Sequence, residues 1–403
     1  MKAVVFHGVG DIRLDDVPEP QLKEPTDAIV RLTASAICGT DLHMIRGTLP
    51  GMVPGTILGH EGVGVVEDFG PGVRNFHRGD RVVICSTIAC GICAYCRQGY
   101  YAMCDKANPN GPQAGAAFFG GPKETGPFDG LQAEKARIPF ANVGMVKLPD
   151  EVSDEDAIIL SDIFPTGFFG AKLAEIQPGN TVAVFGCGPV GQCAIASAKL
   201  LGAGRILAVD NNTSRLDMAR RQGAEVINFD TENPVQTIRD LTGGIGVDRV
   251  IDAVGVDSSR PHSGPAAGQT QQREQEFQQE LHEIAPEVHP SNGNWRPGDA
   301  PPLALEWAAQ GVAKAGTLSI IGVYPQTDRF FPIGIAMNRN LTVNMGNCNH
   351  RKYLPRLVDM VRNGTIKPRE IITQREPLGS AVDAYKAFDK HQEGWLKVEL
   401  QPV

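Results

Sequence analysis

Short apolar runs broken by Gly, Pro and Asp fill the first third of the chain, at residues 3–6, 28–32, 62–66 and 81–84. Runs of this length between turn formers predict β-strands. Near residue 163 the pattern changes. Residues 181–185 (TVAVF) are almost wholly apolar, as in a strand covered on both faces, and a helix-like stretch follows to about Leu201. Further strands are predicted at 206–209, 226–228, 247–253 and 317–322, with a helix over 214–222. Alternating strands and helices predict a doubly wound parallel sheet. Beyond about 323 the pattern is mixed again, and Pro325, Pro332 and residues 341–346 read as a return to the first unit. The predicted fold class is α/β: a β-rich domain at 1–163 and 324–403, interrupted by a parallel-sheet domain at 164–323.

One stretch fits neither pattern. Residues 256–302 are rich in Gln, Glu, Pro and Gly and include QTQQREQEFQQELHE. Phe277, Leu281 and Ile284 fall at i, i+4 and i+7, which predicts a short amphipathic helix in an otherwise irregular insert. An insert of this length is either a lid or a disordered linker. The apolar triplet gives the helix a face to dock and favours the lid.

Composition narrows the function. A chain of 403 residues with 42% hydrophobic residues can build two domains with a sizeable core. Its net charge of -8 opposes sequence-independent nucleic-acid binding, which needs a basic surface, and attraction to anionic membranes. The opening MKAVVFHGVG has no apolar run long enough for a signal peptide or a membrane span, so a reducing, cytoplasmic setting is expected.

In that setting clustered cysteines favour a metal. Cys90, Cys93, Cys96 and Cys104 read C-x-x-C-x-x-C with a fourth Cys eight positions on. Four thiolates at this spacing can enclose one tetrahedral zinc ion and leave no position open, which makes the site structural. Disulfides and an iron–sulfur cluster are the alternatives. Cys104 is followed by Asp105, not by the Pro that closes the bacterial ferredoxin pattern.

The run VAVFGCGPVG places Gly186, Gly188 and Gly191 in G-x-G-x-x-G spacing between a predicted strand and helix. Gly186 can make the tight turn, Gly188 lets backbone approach a pyrophosphate, and Gly191 lets helix and strand pack closely. Pro189 and Val190 open the helix, whose free N–H groups face the phosphates. Asp210, at the end of the next strand, has the position of a ribose ligand. Its carboxylate would bind a 2′-hydroxyl and repel a 2′-phosphate, favouring NAD over NADP. Arg215 could pair with a phosphate or stack on adenine; beside Asp210, stacking is preferred.

A second metal site is harder to read. Cys38, His60 and Asp162 could give one S, one N and one O ligand to a catalytic zinc with an open fourth position, but their spacing alone would not bring them together. The motifs around them do more. C-G-T-D-x-H, G-H-E-x-x-G, the four-cysteine lobe, S-D-x-x-P-T-G and the glycine fingerprint follow one another along nearly the whole chain. In this order they resemble the medium-chain, zinc-dependent alcohol dehydrogenase superfamily.

The resemblance implies a GroES-like catalytic domain, a Rossmann domain, NAD, and two zinc ions per subunit, one held by Cys38, His60 and Asp162 and one by the four-cysteine lobe. It gives Thr40 and His43 the positions of a proton relay to solvent. Glu61 becomes a residue behind the metal that can approach it during ligand exchange, or a buried carboxylate paired with an Arg. Thr166, Val254 and Gly255 match positions lining the cofactor cleft. Alcohol dehydrogenases usually have Cys where this chain has Asp162. Asp there, with a long insert, is similar to glutathione-independent formaldehyde dehydrogenases and formaldehyde dismutases, where the insert covers the adenine side of a tightly held NAD.

The expected activity is hydride transfer between NAD and a small alcohol or aldehyde. A dismutase with non-exchanging NAD, a polyol, sugar or threonine dehydrogenase, and a non-catalytic nucleotide sensor are the alternatives. Phe118, Phe119, Phe168 and Phe169 suggest an apolar pocket wall. The family resemblance implies a homo-oligomer, preferably a tetramer, joined through cofactor-domain sheets near residues 318–323.

Overall fold

The computed structural model describes residues 1–403 except 112, 127 and 403. The first third is built on strands as its punctuated apolar runs require. β1 (Lys2–Gly8) and β2 (Asp11–Asp16) form an antiparallel pair. β3 (Ala28–Ile37), β4 (Gly62–Phe69), β5 (Arg81–Ile84), β6 (Lys135–Ile138) and β7 (Met145–Lys147) follow. β3 is the hub. It pairs antiparallel with β4 and β6, and its register to β4 shifts twice. Such bulges bend a strand and re-aim its end. Here that end delivers Cys38.

The second sheet contains β8 (Thr181–Phe185), β9 (Arg205–Asp210), β10 (Glu225–Asn228), β11 (Val247–Asp252), β12 (Val312–Ile320) and β13 (Thr342–Met345). The order is β10-β9-β8-β11-β12-β13 and every pairing is parallel. This is the doubly wound arrangement, with a crevice where the strand order reverses between β8 and β11. Val182, Ala183, Val184 and Phe185 are at most 1% exposed, since helices cover both faces of the central strand. Burying each large apolar side chain stabilises the domain by about 1.5–3 kcal/mol.

β14 (Gln374–Pro377) and β15 (Val398–Gln401) rejoin the first sheet, where β15 pairs with β3. The return comes later than the sequence pattern suggested. Residues 341–346, expected in the first unit, carry β13, the edge of the parallel sheet. Residues 318–323, near which the cofactor-domain sheets were expected to join between subunits, carry the last three residues of β12, which lies between β11 and β13; the edge beside it is β13.

The insert is folded. It contains helices Ala267–Gln271 and Glu274–Ile284. Of the predicted triplet, Phe277 and Ile284 are buried and Leu281 is half-buried. Trp295 packs into the apolar cluster of Val4, Phe6, Leu378 and Tyr385, so the far end of the insert rests on the first sheet's domain.

Candidate active site

A cleft of about 770 Å³ is lined by strand ends of the parallel sheet and by loop and helix residues of the first domain. At one end, three separate chain segments converge. Cys38 ends β3 and opens the helix Gly39–Arg46, where its N–H donates to Asp41 Oδ2 at 3.0 Å. His60 enters β4. Asp162 is the non-helical break (φ -140°, ψ -69°) between helices Asp154–Ser161 and Ile163–Leu173. Ser161 fixes this break: its hydroxyl donates to the Ile84 carbonyl (2.6 Å) and accepts from Gly62 N–H (2.9 Å). The hinge carrying Asp162 is thereby tied to the strands that carry His60.

Asp162 Oδ2 lies 3.7 Å from Cys38 Sγ and 3.2 Å from His60 Nε2. Edges of a tetrahedron with zinc–ligand bonds of about 2.0–2.3 Å are on the order of 3.3–3.6 Å, so the donor set and its spacing fit one zinc ion. All three residues are under 9% exposed, yet all line the cleft. Asp41 Oδ1 stands 3.3 Å from His60 Nδ1, on the far side of the imidazole. The negative charge there favours a proton on Nδ1, which leaves the Nε2 lone pair for a metal.

Glu61 stands with this donor group but does not line the cleft. Its partner is Lys397, not the arginine expected: Nζ lies 2.7 and 2.6 Å from the two carboxylate oxygens and 2.9 Å from the Ile37 carbonyl. Both side chains are fully buried. Burial pulls the Lys397 ammonium down, but the Glu61 carboxylate outweighs it and holds it above its usual value. Since Ile37 precedes Cys38 and Glu61 follows His60, one ammonium braces two ligand-bearing segments.

The other end of the cleft carries the glycine fingerprint. Gly186 has φ +85°, and a Cβ on Gly191 would meet the Gly186 carbonyl at 1.8 Å, so only glycine fits there. At Gly188 the nearest atom to such a Cβ is Arg215 Nη1 at 4.0 Å, and the open space belongs to the cleft. A phosphate could approach the backbone there. Pro189, Val190, Asp210, Arg215, Thr166 and Val254 also line the cleft. Asp210 accepts from the N–H groups of Cys187 (2.7 Å), Asn211 (2.8 Å) and Asn212 (2.9 Å), which aligns the fingerprint loop with the end of β9. Gly255 does not line the cleft as expected. With φ +78° it packs against Val323, whose N and O would each lie 2.5 Å from a Cβ, so its role is a close backbone crossing.

Thr40 and His43 line the same cleft, with Thr40 Oγ1 3.8 Å from Cys38 Sγ. His43 Nδ1 is 3.0 Å from Thr48 Oγ1 and 3.1 Å from Asp257 Oδ2. Asp257, the start of the insert, also pairs with Arg46 Nη1 at 2.6 Å. Burial pushes its carboxyl up, but His43 and Arg46 outweigh that and hold it below the usual range. Arg46 also pairs with Asp389 at 2.7 Å, and Asp389 accepts from Trp295 N–H (2.8 Å) and Asn294 Nδ2 (3.0 Å) at the far end of the insert.

Of the expected aromatic wall, Phe118 lines the cleft, edge-on to His60 with ring centroids 6.0 Å apart. Phe119, Phe168 and Phe169 are buried in the cores and stay out of the lining. Lys397, His350, Asp257, Arg46 and His391 were not anticipated. Lys397, charged within the apolar run WLKVEL, was the one with a local signal.

Cys90, Cys93, Cys96 and Cys104 are all buried, with one sulfur from each within 4.8 Å of the others. Cys93 Sγ and Cys104 Sγ are 4.0 Å apart, against about 3.8 Å for an all-thiolate zinc tetrahedron. Backbone N–H groups of Cys90, Ile92 and Cys96 point at the sulfurs at 3.2–3.5 Å, which favours thiolates. No disulfide links any cysteine among the described residues.

The chain is similar to known proteins along its whole length. The family described as "Alcohol dehydrogenase GroES-like domain" matches residues 24–150, and "Zinc-binding dehydrogenase" matches residues 189–263. The zinc-type alcohol dehydrogenase-like protein AdhB of Bacillus subtilis is 37% identical over 406 residues, covering 100% of both chains. The alcohol dehydrogenase TADH from Thermus sp. ATN1 superposes with a TM-score of 0.80 at 34% identity, covering 100% of this chain and 99% of that one. A glutathione-independent formaldehyde dehydrogenase of Pseudomonas aeruginosa is 38% identical over 277 residues, 65% of this chain and 68% of its own. With sulfur, nitrogen and oxygen donors at one end of a cleft, a glycine fingerprint at the other, and full-length relatives of this kind, the chain belongs to the medium-chain, zinc-dependent alcohol dehydrogenase superfamily.

Proposed function

We propose that the protein transfers a hydride between NAD and a small, neutral alcohol or aldehyde, with formaldehyde a candidate. The observation that carries this reading is that the Cys38–His60–Asp162 donors and the glycine fingerprint open onto one cleft. A zinc ion at those donors would supply Lewis acidity toward an alcohol or carbonyl oxygen, and NAD would supply the two-electron acceptor. Around the donors the lining includes Leu49, Ala116, Phe118, Ser86 and Thr87. Arg46 and Arg215 are the Arg or Lys residues of the lining among those described, and Arg46 is spent on two carboxylates. A carboxylate or phosphate on the substrate would thus lack a partner near the donors, which supports an uncharged one.

In this reading Thr40 accepts the proton leaving the substrate hydroxyl while its own proton moves on toward His43. Asp257 and Thr48 occupy His43 Nδ1, which leaves Nε2 to receive that proton. Thr166, Val190 and Val254 flank the cofactor, Asp210 binds its ribose, and Arg215 stacks on its adenine. Asp210 supports NAD over NADP. The thiolate-rich sites support a reducing, cytoplasmic setting, because an oxidising compartment would turn them into disulfides. The edge strand β13, unpaired on one side among the described residues, with Met345 58% exposed and Ile333 and Met337 71% and 77% exposed on the helix Ile333–Asn338 before it, supports a homo-oligomer, preferably a tetramer. A monomer in sedimentation velocity would contradict that part.

A second reading, aldehyde dismutation with NAD that never leaves, is favoured by the insert, whose two ends are held to the first domain through Arg46 and Asp389. A desalted preparation assayed on a panel of alcohols and aldehydes tests both. Reduction of added NAD by alcohols, with NADP much poorer, supports the dehydrogenase. Turnover of aldehyde to alcohol and acid without added nucleotide supports the dismutase, and turnover of neither class contradicts both.

A further inference from the structure

Asp162 has two oxygens, and the fold treats them differently. Oδ2 faces Cys38 Sγ and His60 Nε2. Oδ1 faces away, 2.7 Å from His350 Nε2 and 3.1 Å from the Thr166 hydroxyl. His350 is 3% exposed, and its other ring nitrogen, Nδ1, lies 3.1 Å from Thr87 Oγ1. The imidazole opens the helix His350–Arg362, and its Oδ1 partner is 188 residues away in sequence.

A thiolate offers a metal one atom, but a carboxylate offers two. An Asp in a ligand position can therefore swing from one-oxygen to two-oxygen binding and fill the position that substrate needs. An N–H donor fixed on the outer oxygen opposes that swing, because the second metal–oxygen contact would cost a buried charge-assisted hydrogen bond. We propose that His350 is a positioning residue that holds Asp162 to one-oxygen ligation through Oδ2, with Thr87 fixing the ring and Thr166 as a second donor to Oδ1. The proposal rests on the reading that Cys38, His60 and Asp162 hold a metal. It adds the means by which a carboxylate can stand in a ligand position and the open coordination site survive.

In this arrangement Nε2–H donates to Oδ1 while Thr87 Oγ1 holds Nδ1, so the orientation of the ring is fixed from both sides. His350 and Thr87 both line the cleft, so the same ring forms part of the wall beside the open position. Neither residue needs to contact substrate for the effect.

The test exchanges the cleft metal for cobalt(II) in the full-length protein and reads the visible spectrum, since four-coordinate cobalt absorbs several-fold more strongly than five-coordinate cobalt. Wild type should give the strong spectrum. His350→Phe, which fills the space without a donor, should weaken its visible bands several-fold and weaken metal retention against a chelator by about 10- to 100-fold. His350→Gln, which keeps an N–H donor, should recover most of the intensity. Thr87→Val should give a smaller loss, and it decides the matter if His350→Phe does not fold. A strong, unshifted spectrum in both His350→Phe and Thr87→Val, or in Thr87→Val alone where His350→Phe is insoluble, overturns the proposal. If wild type binds no cobalt that Cys38→Ala abolishes, the metal-site reading itself fails and this proposal falls with it.

Discussion

Lys397 and Glu61 form an ion pair with no solvent exposure, directly behind the cleft donors. Removing one member of such a pair leaves an uncompensated buried charge. Lys397→Met should therefore cost about 3–5 kcal/mol in chemical denaturation, far more than a surface ion pair; a loss below about 1 kcal/mol would contradict the account. Glu280 shows the opposite imbalance. It sits on the inward side of the helix Glu274–Ile284 with Oε2 buried and unpartnered among the described residues. Burial, with Glu276, Glu306 and Asp328 nearby, outweighs Arg273 and pushes its carboxyl up to about 7 from 4.5. A raised folded-state value means that the protonated form favours the fold. The contribution is complete below pH 4.5 and is lost as pH rises through about 7. Glu280→Gln should thus raise stability at pH 8 by on the order of 1 kcal/mol and leave it nearly unchanged at pH 4. Calorimetry at the two pH values checks this, and an equal effect at both would contradict it. The donors were legible in the sequence because each sits in a compact motif. Lys397 and His350 were not, because their partners lie 336 and 188 residues away and no local spacing encodes the meeting.

The strands of the cofactor sheet could be read because burial on both faces imposes an unbroken apolar run, as at Thr181–Phe185. β13 escaped for the same reason. As an edge strand its residues are half-buried or exposed, so Thr342–Met345 carries no such run. The insert was half legible: its apolar triplet announced a helix, but nothing local announced that Arg46 would hold both of its ends. Asp257 reaches Arg46 directly, and Asn294 and Trp295 reach it through Asp389. Gly298 closes the base of the insert, since a Cβ there would stand 2.3 Å from the Asp257 carbonyl carbon. Arg46→Met would take the shared guanidinium from Asp257 and Asp389 and loosen this closure. It should speed release of bound dinucleotide by about tenfold or more, equivalent to roughly 1.4 kcal/mol. Stopped-flow nucleotide fluorescence measures the rate, and release at the wild-type rate would show that the insert does not gate the cleft.

At the scale of the whole molecule, the α/β class and the two kinds of sheet follow from sequence texture, but the path of the chain does not. It enters the parallel sheet at β8, stays until β13, and returns through β14 and β15 to pair with β3. That return places Lys397 behind Cys38 and brings Phe388 and His391 into the cleft lining. The donors and the fingerprint each have an ordinary structural reading when taken singly; their convergence on one cleft gives them a joint chemical meaning. On this reading the cleft holds a catalytic metal distinct from the four-cysteine site. Metal content with and without Cys38, measured beside alcohol oxidation, tests it most directly. Wild type should carry about two zinc ions per chain, and Cys38→Ala about one with no oxidation. One zinc ion in wild type, or undiminished oxidation in Cys38→Ala, would contradict it.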